Sequence, residues 1–291
     1  MSTGRLHDVA PMYGGIRLIG GTSTPDLTQE ISDYLKVSLS GRDIVQFPNE
    51  NIFVRLHSSA RGQDVYVIQT TSKPVNYNLM ELLITLQTLK LDSAARVTAV
   101  IPYLCYSRSD KKDQPRVPIT ARLVADMLEC AGAHRYITID LHAGQIQGFF
   151  SIPGDVLTAY HMVSDYFRAK LSQMKDPVIV TADFGFAKKG RNFAAKLNAP
   201  MAFVEKRRIG NDSTAEAMSV IGEVDGKDVI IVDDEVDTAG TVCEAAHIVR
   251  AHGAREVYLS FVHPVLSGPA FDRLKAANFK EIVTTNTIPI P

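Results

Sequence analysis

The stretch VIIVDDEVDTAGT, residues 229–241, decides how this chain is read. Val229, Ile230, Ile231 and Val232 form an apolar, β-prone run. Such a run reads as a buried strand that delivers Asp233 and Asp234 to the edge of a sheet. Thr238, Ala239, Gly240 and Thr241 then make a turn small enough for backbone N–H groups to approach an anion. A helix starting at Thr241 adds partial positive charge there. Yet Asp233, Asp234, Glu235 and Asp237 crowd four carboxylates just before the turn. A phosphate alone leaves those acids unexplained. Carboxylates accept hydrogen bonds from sugar hydroxyls, and they bind Mg²⁺ directly or through water. A phosphorylated sugar with a metal satisfies both halves.

Working outward, the same strand-then-helix rhythm fills the chain. Strands are expected at 16–21, 65–70, 96–103, 135–142, 177–183, 201–207, within 220–234, at 256–264 and at 281–286. Helices are expected after Pro25, preceded by Thr24 as N-cap, and at 78–90, 119–133, 187–199, 241–254 and 269–279. Strands separated by helices imply an α/β fold of parallel sheets covered on both faces, with ligands at the carboxyl ends of the strands. Gly148, Pro153 and Gly154 interrupt the rhythm, so two domains are expected, 1–150 and 151–291.

Composition narrows the function classes. The chain has 291 residues, 45% hydrophobic and 22% charged, with a net charge of -1. No global basic field recruits nucleic acid, and no basic patch with interleaved aromatics appears. No stretch approaches the ~18 uncharged apolar residues of a membrane span. The first residues hold no apolar signal-peptide core. Cys105, Cys130 and Cys243 are too scattered for a disulfide framework or zinc site. Each is expected as a small buried hydrophobe, in a cytoplasmic setting.

Several other segments carry chemistry. EKRR places Lys206, Arg207 and Arg208 after a strand, where cations could follow charge building on a transferring phosphoryl group. DLHAGQIQGFF puts His142 at a strand's carboxyl end, suited to ligand or metal contact. YSRSDKKDQPR is dense in charge, and its Arg108 could stack on a base and meet phosphate oxygens. QFPNENIF and TTSKPVN complete the set.

VIIVDDEVDTAGT resembles the ribose-phosphate motif of the type I phosphoribosyltransferase fold. QTTSKPVNYNLMELL, IPYLCYSRSDKK, ITIDLHAGQIQGFF, EKRR and FVHPVLSGPA resemble ribose-phosphate pyrophosphokinase, in that family's order and over nearly the whole chain. The resemblance implies transfer of the diphosphate of ATP to the anomeric hydroxyl of ribose 5-phosphate, with Mg²⁺. It implies two related phosphoribosyltransferase-like domains, each a mainly parallel sheet flanked by helices. It also implies self-association, as a hexamer or a dimer-based assembly with ATP sites shared between subunits.

Residue by residue, the resemblance makes Lys206 and Arg208 catalytic. It gives ribose 5-phosphate to Asp233, Asp234, Asp237, Thr238, Ala239, Gly240 and Thr241. ATP falls to Phe47, Asn49, Asn51, Arg108, Ser109, Asp110 and His142, and the metal to His142 and Asp183. Asn49 and Asn51 stand where members often carry acids, and Ser109 where many carry glutamine. A phosphoribosyltransferase would need neither DLHAGQIQGFF nor the RSDKK segment. A non-catalytic regulatory homologue would be expected to lose the basic arm, the strand-end histidine or the paired acids.

Overall fold

Apolar strands and the helices that cover them build two units. The computed structural model describes residues 13–182, 184–208 and 216–290, with the side chains of 184, 206–208 and 216–218 outside that description. The first unit takes the described residues up to Thr138 together with Ala143–Asp155. The second takes Ile139–His142 and the described residues from Val156 onward.

The first unit runs β1 (Ile16–Gly20), α1 (Pro25–Leu35), β2 (Arg42–Gln46), β3 (Ile52–Leu56), β4 (Asp64–Ile68), α2 (Val75–Leu91), β5 (Arg96–Ile101), α3 (Thr120–Ala131), β6 (Arg135–Ile139) and β7 (Gly154–Leu157). Its sheet has the order β1-β4-β5-β6-β7. β1 pairs with β4, β4 with β5, and β5 with β6, all parallel. Val65, Val67, Val97 and Ala99 are fully buried, as central parallel strands require. Leu82, Leu86 and Leu89 of α2 are likewise fully buried, at the i, i+4, i+7 spacing of one helix face. Pro25 opens α1 as expected, but the Thr24 side chain makes no cap bond. Its hydroxyl is buried without a partner.

The second unit runs α4 (Tyr160–Lys170), β8 (Val178–Thr181), α5 (Ala187–Leu197), β9 (Met201–Arg208), β10 (Glu216–Ile221), β11 (Asp228–Val236), α6 (Gly240–Ala251), β12 (Glu256–Pro264), α7 (Ala270–Ala276) and β13 (Ile282–Val283). The order in its sheet is β10-β9-β8-β11-β12-β13. Every pairing is parallel except that of β9 with β10. Ile231 of β11 joins Val242, Ala246 and Val249 of α6 in one buried cluster, and Ile230 joins Phe167 and Phe193 in a second. β11 is thus buried on both sides, which is why its apolar run does not alternate.

Among the described residues, β2, β3, β7 and α4 escaped the sequence reading. The β2–β3 hairpin has a largely half-exposed ladder, so it shows no clean apolar run. β7 is short and exposed for most of its length. α4 buries Val163, Ser164 and Phe167, too thin a stripe to stand out. Other strands end sooner than expected. β6 stops at Ile139 because Asp140 turns into the left-handed region, with φ 40°. The cysteine expectation holds for Cys105 alone. Cys130 is exposed and Cys243 half-buried, because the buried face of α3 is Ala121, Val124, Ala125 and Leu128.

Candidate active site

β11 leaves the core as Val232 and enters the site as Asp233 and Asp234. The two acids differ sharply in surroundings. Asp234 and Glu235 are buried, each about 4% exposed, and Asp233 is half-buried. The Asp234 N–H donates to Asp233 Oδ1 at 2.8 Å, and the Glu235 N–H donates to Asp234 Oδ1 at 2.9 Å. Lys189, in the first turn of α5, brings its ammonium 3.2 Å from Asp234 Oδ2, and also donates to the Leu141 carbonyl at 2.9 Å. His142 Nδ1 lies 3.4 Å from the same Asp234 oxygen and 4.0 Å from Glu235.

This arrangement divides the charge. Burial alone would raise Asp234, but His142 and Lys189 outweigh it and hold the carboxyl down to about 2. Burial and the adjacent Asp234 push Asp233 well above the usual carboxylate range. Burial raises the Tyr160 phenol too, beside Asp234, Asp140 and Asp233. It reaches the Asp233 carbonyl at 3.4 Å.

The turn that follows opens α6. Ala239 is left-handed, φ 60°, and caps the 12-residue helix α6. The first N–H groups of such a helix have no intrahelical acceptor. Thr238 and Thr241 are exposed there. A second segment lies along the turn: Leu266 N–H donates to the Val236 carbonyl at 2.9 Å, and Ser267 N–H to the Asp237 carbonyl at 3.0 Å. The Ser267 hydroxyl bonds Asp237 Oδ1. From α7, Arg273 Nη1 donates to the Thr238 carbonyl at 3.0 Å.

His263 supports the strand ends from behind. It is buried, and its Nε2 faces the carbonyls of Ile139 at 3.0 Å and Asp140 at 3.2 Å. Two acceptors require that nitrogen to carry the proton, so Nδ1 accepts from the Thr287 hydroxyl at 2.9 Å. Burial lowers its pKa to about 4, so the ring is neutral near pH 7.

Asp183 lies outside the described residues, as do the side chains of Lys206 and Arg208. The backbone of the latter pair ends β9, with Lys206 opposite Met218 and Arg208 opposite Glu216 in β10. The basic segment is therefore one arm of an antiparallel hairpin.

The remaining expected residues belong to the first unit. Phe47 is exposed and rests against Phe53, ring centroids 6.1 Å apart. The Asn49 side-chain oxygen accepts from the Asn51 N–H at 3.2 Å. The β2–β3 hairpin borders a hollow of about 550 Å³ lined by Arg42, Phe47, Phe53 and Arg55, among others. Ser109 faces α3: its hydroxyl accepts from Thr120 N–H at 3.3 Å. Asp110 is buried and takes a hydrogen bond from Gln145 of the DLHAGQ segment. Arg108 is exposed, in the loop that also holds buried Ser107 and Asp110.

Among the described residues, no group of three His, Cys, Asp or Glu could hold a metal unaided. A hard cation such as Mg²⁺ takes oxygen donors, one or two carboxylates together with waters and substrate phosphates. The acid-rich strand end supplies hard oxygen donors of the required kind. Sequence reasoning missed Lys189, His263 and Arg273. The first had a signal: a cation in a helix's first turn opposes the dipole, so it needs a partner elsewhere.

Comparisons with known proteins bear on the whole chain. The family described as the N-terminal domain of ribose phosphate pyrophosphokinase matches residues 16–132. A phosphoribosyl synthetase-associated domain matches 211–291. The ribose-phosphate pyrophosphokinase of Caldanaerobacter subterraneus is 48% identical over 283 residues, 97% of this chain and 89% of that one. The Bacillus caldolyticus protein of the same name is 45% identical, covering 95% and 87%. The crystal structure of phosphoribosylpyrophosphate synthetase from Mycobacterium smegmatis superposes with a TM-score of 0.90 at 39% identity, over 96% of this chain and 91% of that one. With nearly the full length matched at this identity, the chain belongs to the ribose-phosphate pyrophosphokinase family.

Proposed function

We propose that the chain transfers the diphosphate of ATP to the anomeric hydroxyl of ribose 5-phosphate at the carboxyl edge of the six-stranded sheet. The products are 5-phosphoribosyl 1-diphosphate and AMP. The observation that carries this reading is the junction of β11 and α6: buried acids lead directly into a left-handed turn at a helix N-terminus. Backbone N–H groups and hydroxyls of Thr238–Thr241 hold the 5-phosphate. Asp233, Asp234 and Asp237 accept hydrogen bonds from the ribose hydroxyls. The anomeric oxygen attacks the β-phosphorus, and the bond from that phosphorus to the α,β-bridging oxygen breaks. Lys206 and Arg208 stabilise the charge that develops on the phosphoryl oxygens. The proton of the anomeric hydroxyl leaves to solvent, since no side chain is assigned as general base.

His142 and Asp183 would hold Mg²⁺, which when bound neutralises triphosphate charge. Phe47, Asn49, Asn51, Arg108, Ser109, Asp110 and His142 bind ATP. Self-association shares ATP sites between subunits, in a hexamer or dimer-based assembly. The setting is cytoplasmic; no helix among the described residues is long and apolar enough to cross a membrane.

Phosphorus NMR of the purified protein with ATP, Mg²⁺ and ribose 5-phosphate tests the reaction. AMP should appear in step with a sugar diphosphate. Formation of ADP, or no turnover with both substrates bound, would refute it.

A further inference from the structure

The loop that receives a phosphate follows four acids and contains no basic residue of its own: Asp233, Asp234, Glu235 and Asp237 precede Thr238–Thr241. Partial charges at a helix N-terminus amount to about half an elementary charge. A sugar phosphate carries nearly two negative charges near neutral pH. Some full positive charge must stand close to this turn for the anion to bind well beside so many carboxylates. Lys189 is engaged with Asp234 and the Leu141 carbonyl.

Among the described residues, Arg273 is the basic side chain that hydrogen-bonds the turn. Its Nη1 donates to the Thr238 carbonyl at 3.0 Å. The same nitrogen would stand 3.4 Å from a Cβ built on Gly240. The guanidinium therefore lies against both Thr238 and Gly240. A planar guanidinium carries five N–H donors, and Thr238 takes one. Arg273 is exposed, and its Nη1 is already within reach of both residues of the turn.

We propose that Arg273 is a binding residue for the 5-phosphate. It fixes the turn through the Thr238 carbonyl and supplies the full charge that the turn lacks. The inference rests on the assignment of Thr238–Thr241 to the 5-phosphate. An arginine that only buttressed the loop would act through the carbonyl bond alone, and its charge would be dispensable.

Calorimetric titration of the full-length protein with ribose 5-phosphate separates these cases, using Arg273→Ala, Arg273→Gln and Arg273→Lys. A glutamine amide can still donate to the Thr238 carbonyl but carries no charge. Arg273→Ala and Arg273→Gln should each weaken ribose 5-phosphate on the order of tenfold, Arg273→Lys less, with affinity for a non-hydrolysable ATP analogue within about twofold of wild type. Wild-type affinity in Arg273→Gln would overturn the proposal. So would parallel losses of sugar phosphate affinity, ATP-analogue affinity and Tm in Arg273→Ala. Thr241→Val serves as control for the loop. If it weakens sugar phosphate binding and Arg273→Ala does not, Arg273 alone is wrongly assigned. If neither does, the loop assignment falls with it.

Discussion

The Lys189 ammonium stands 3.2 Å from Asp234 Oδ2, and the His142 imidazole shares that oxygen at 3.4 Å. One carboxylate oxygen is thus met from α5 and from the chain after β6. The low pKa of Asp234 follows from this meeting rather than from solvent.

Replacing Lys189 by methionine should raise the Asp234 pKa, because the ammonium beside its Oδ2 is gone while burial remains. The acid limb of the activity profile should then move to higher pH, and kcat/KM for ribose 5-phosphate should fall about tenfold at neutral pH. Lys189→Arg should restore part of both. The depressed pKa also bears on stability: that contribution is present above pH ~4 and is lost as pH falls toward 2. Urea unfolding of Lys189→Met below pH 4 should therefore converge on wild type.

His263 acts in the same direction at higher pH within the same unit. Its folded pKa of about 4 lies below the ordinary 6.5, so the unfolded chain binds the extra proton first. Stability should decline as pH drops from about 6.5 to about 4, by up to ~3 kcal/mol from this group. His263→Gln removes the titration. It should be less stable than wild type at pH 7, and the gap should narrow by pH 4.5.

Gly190 sets how closely α5 approaches β8. A Cβ there would lie 2.4 Å from Thr181 Cγ2 and 3.1 Å from Met201 Cε. Gly190→Ala should cost about 1–3 kcal/mol through overpacking, despite the higher helix propensity of alanine. It should also displace Lys189, the preceding residue. Denaturant midpoints and kcat/KM measured together would show both effects. A more stable, fully active variant would refute the packing argument.

Lys206→Ala should lower turnover about 10³-fold while ribose 5-phosphate still binds, if its charge serves the transferring group. Single-turnover kinetics beside calorimetry distinguish that from a binding defect. Near-normal turnover would remove Lys206 from the chemistry.

How far these features were legible depends on whether the signal is local. β11 and the turn after it were readable because an apolar run, paired acids and small residues lie in sequence. β12 was read at 256–264 for the same reason, and the structure gives those bounds. The β2–β3 hairpin was not, since neither strand is deeply buried. Lys189, His263 and Arg273 act across separations of 45, 124 and 35 residues, through backbone carbonyls or a distant acid. No periodicity or spacing along the chain encodes such partners. Ser109 shows the reverse problem: the motif marks the position, and only the fold reveals that its hydroxyl faces the start of α3.

The segment after β12 has a bearing on protein engineering. Residues 265–268 look like an ordinary surface loop, the usual place to graft a tag or an extra domain. Leu266 and Ser267, however, are bonded in register to Val236 and Asp237. An insertion there would shift that register by the inserted length and drag the neighbouring turn with it. Fusion partners and reporter peptides belong elsewhere on this enzyme, and apparent tolerance of a loop is better judged by what its N–H groups hold than by its exposure.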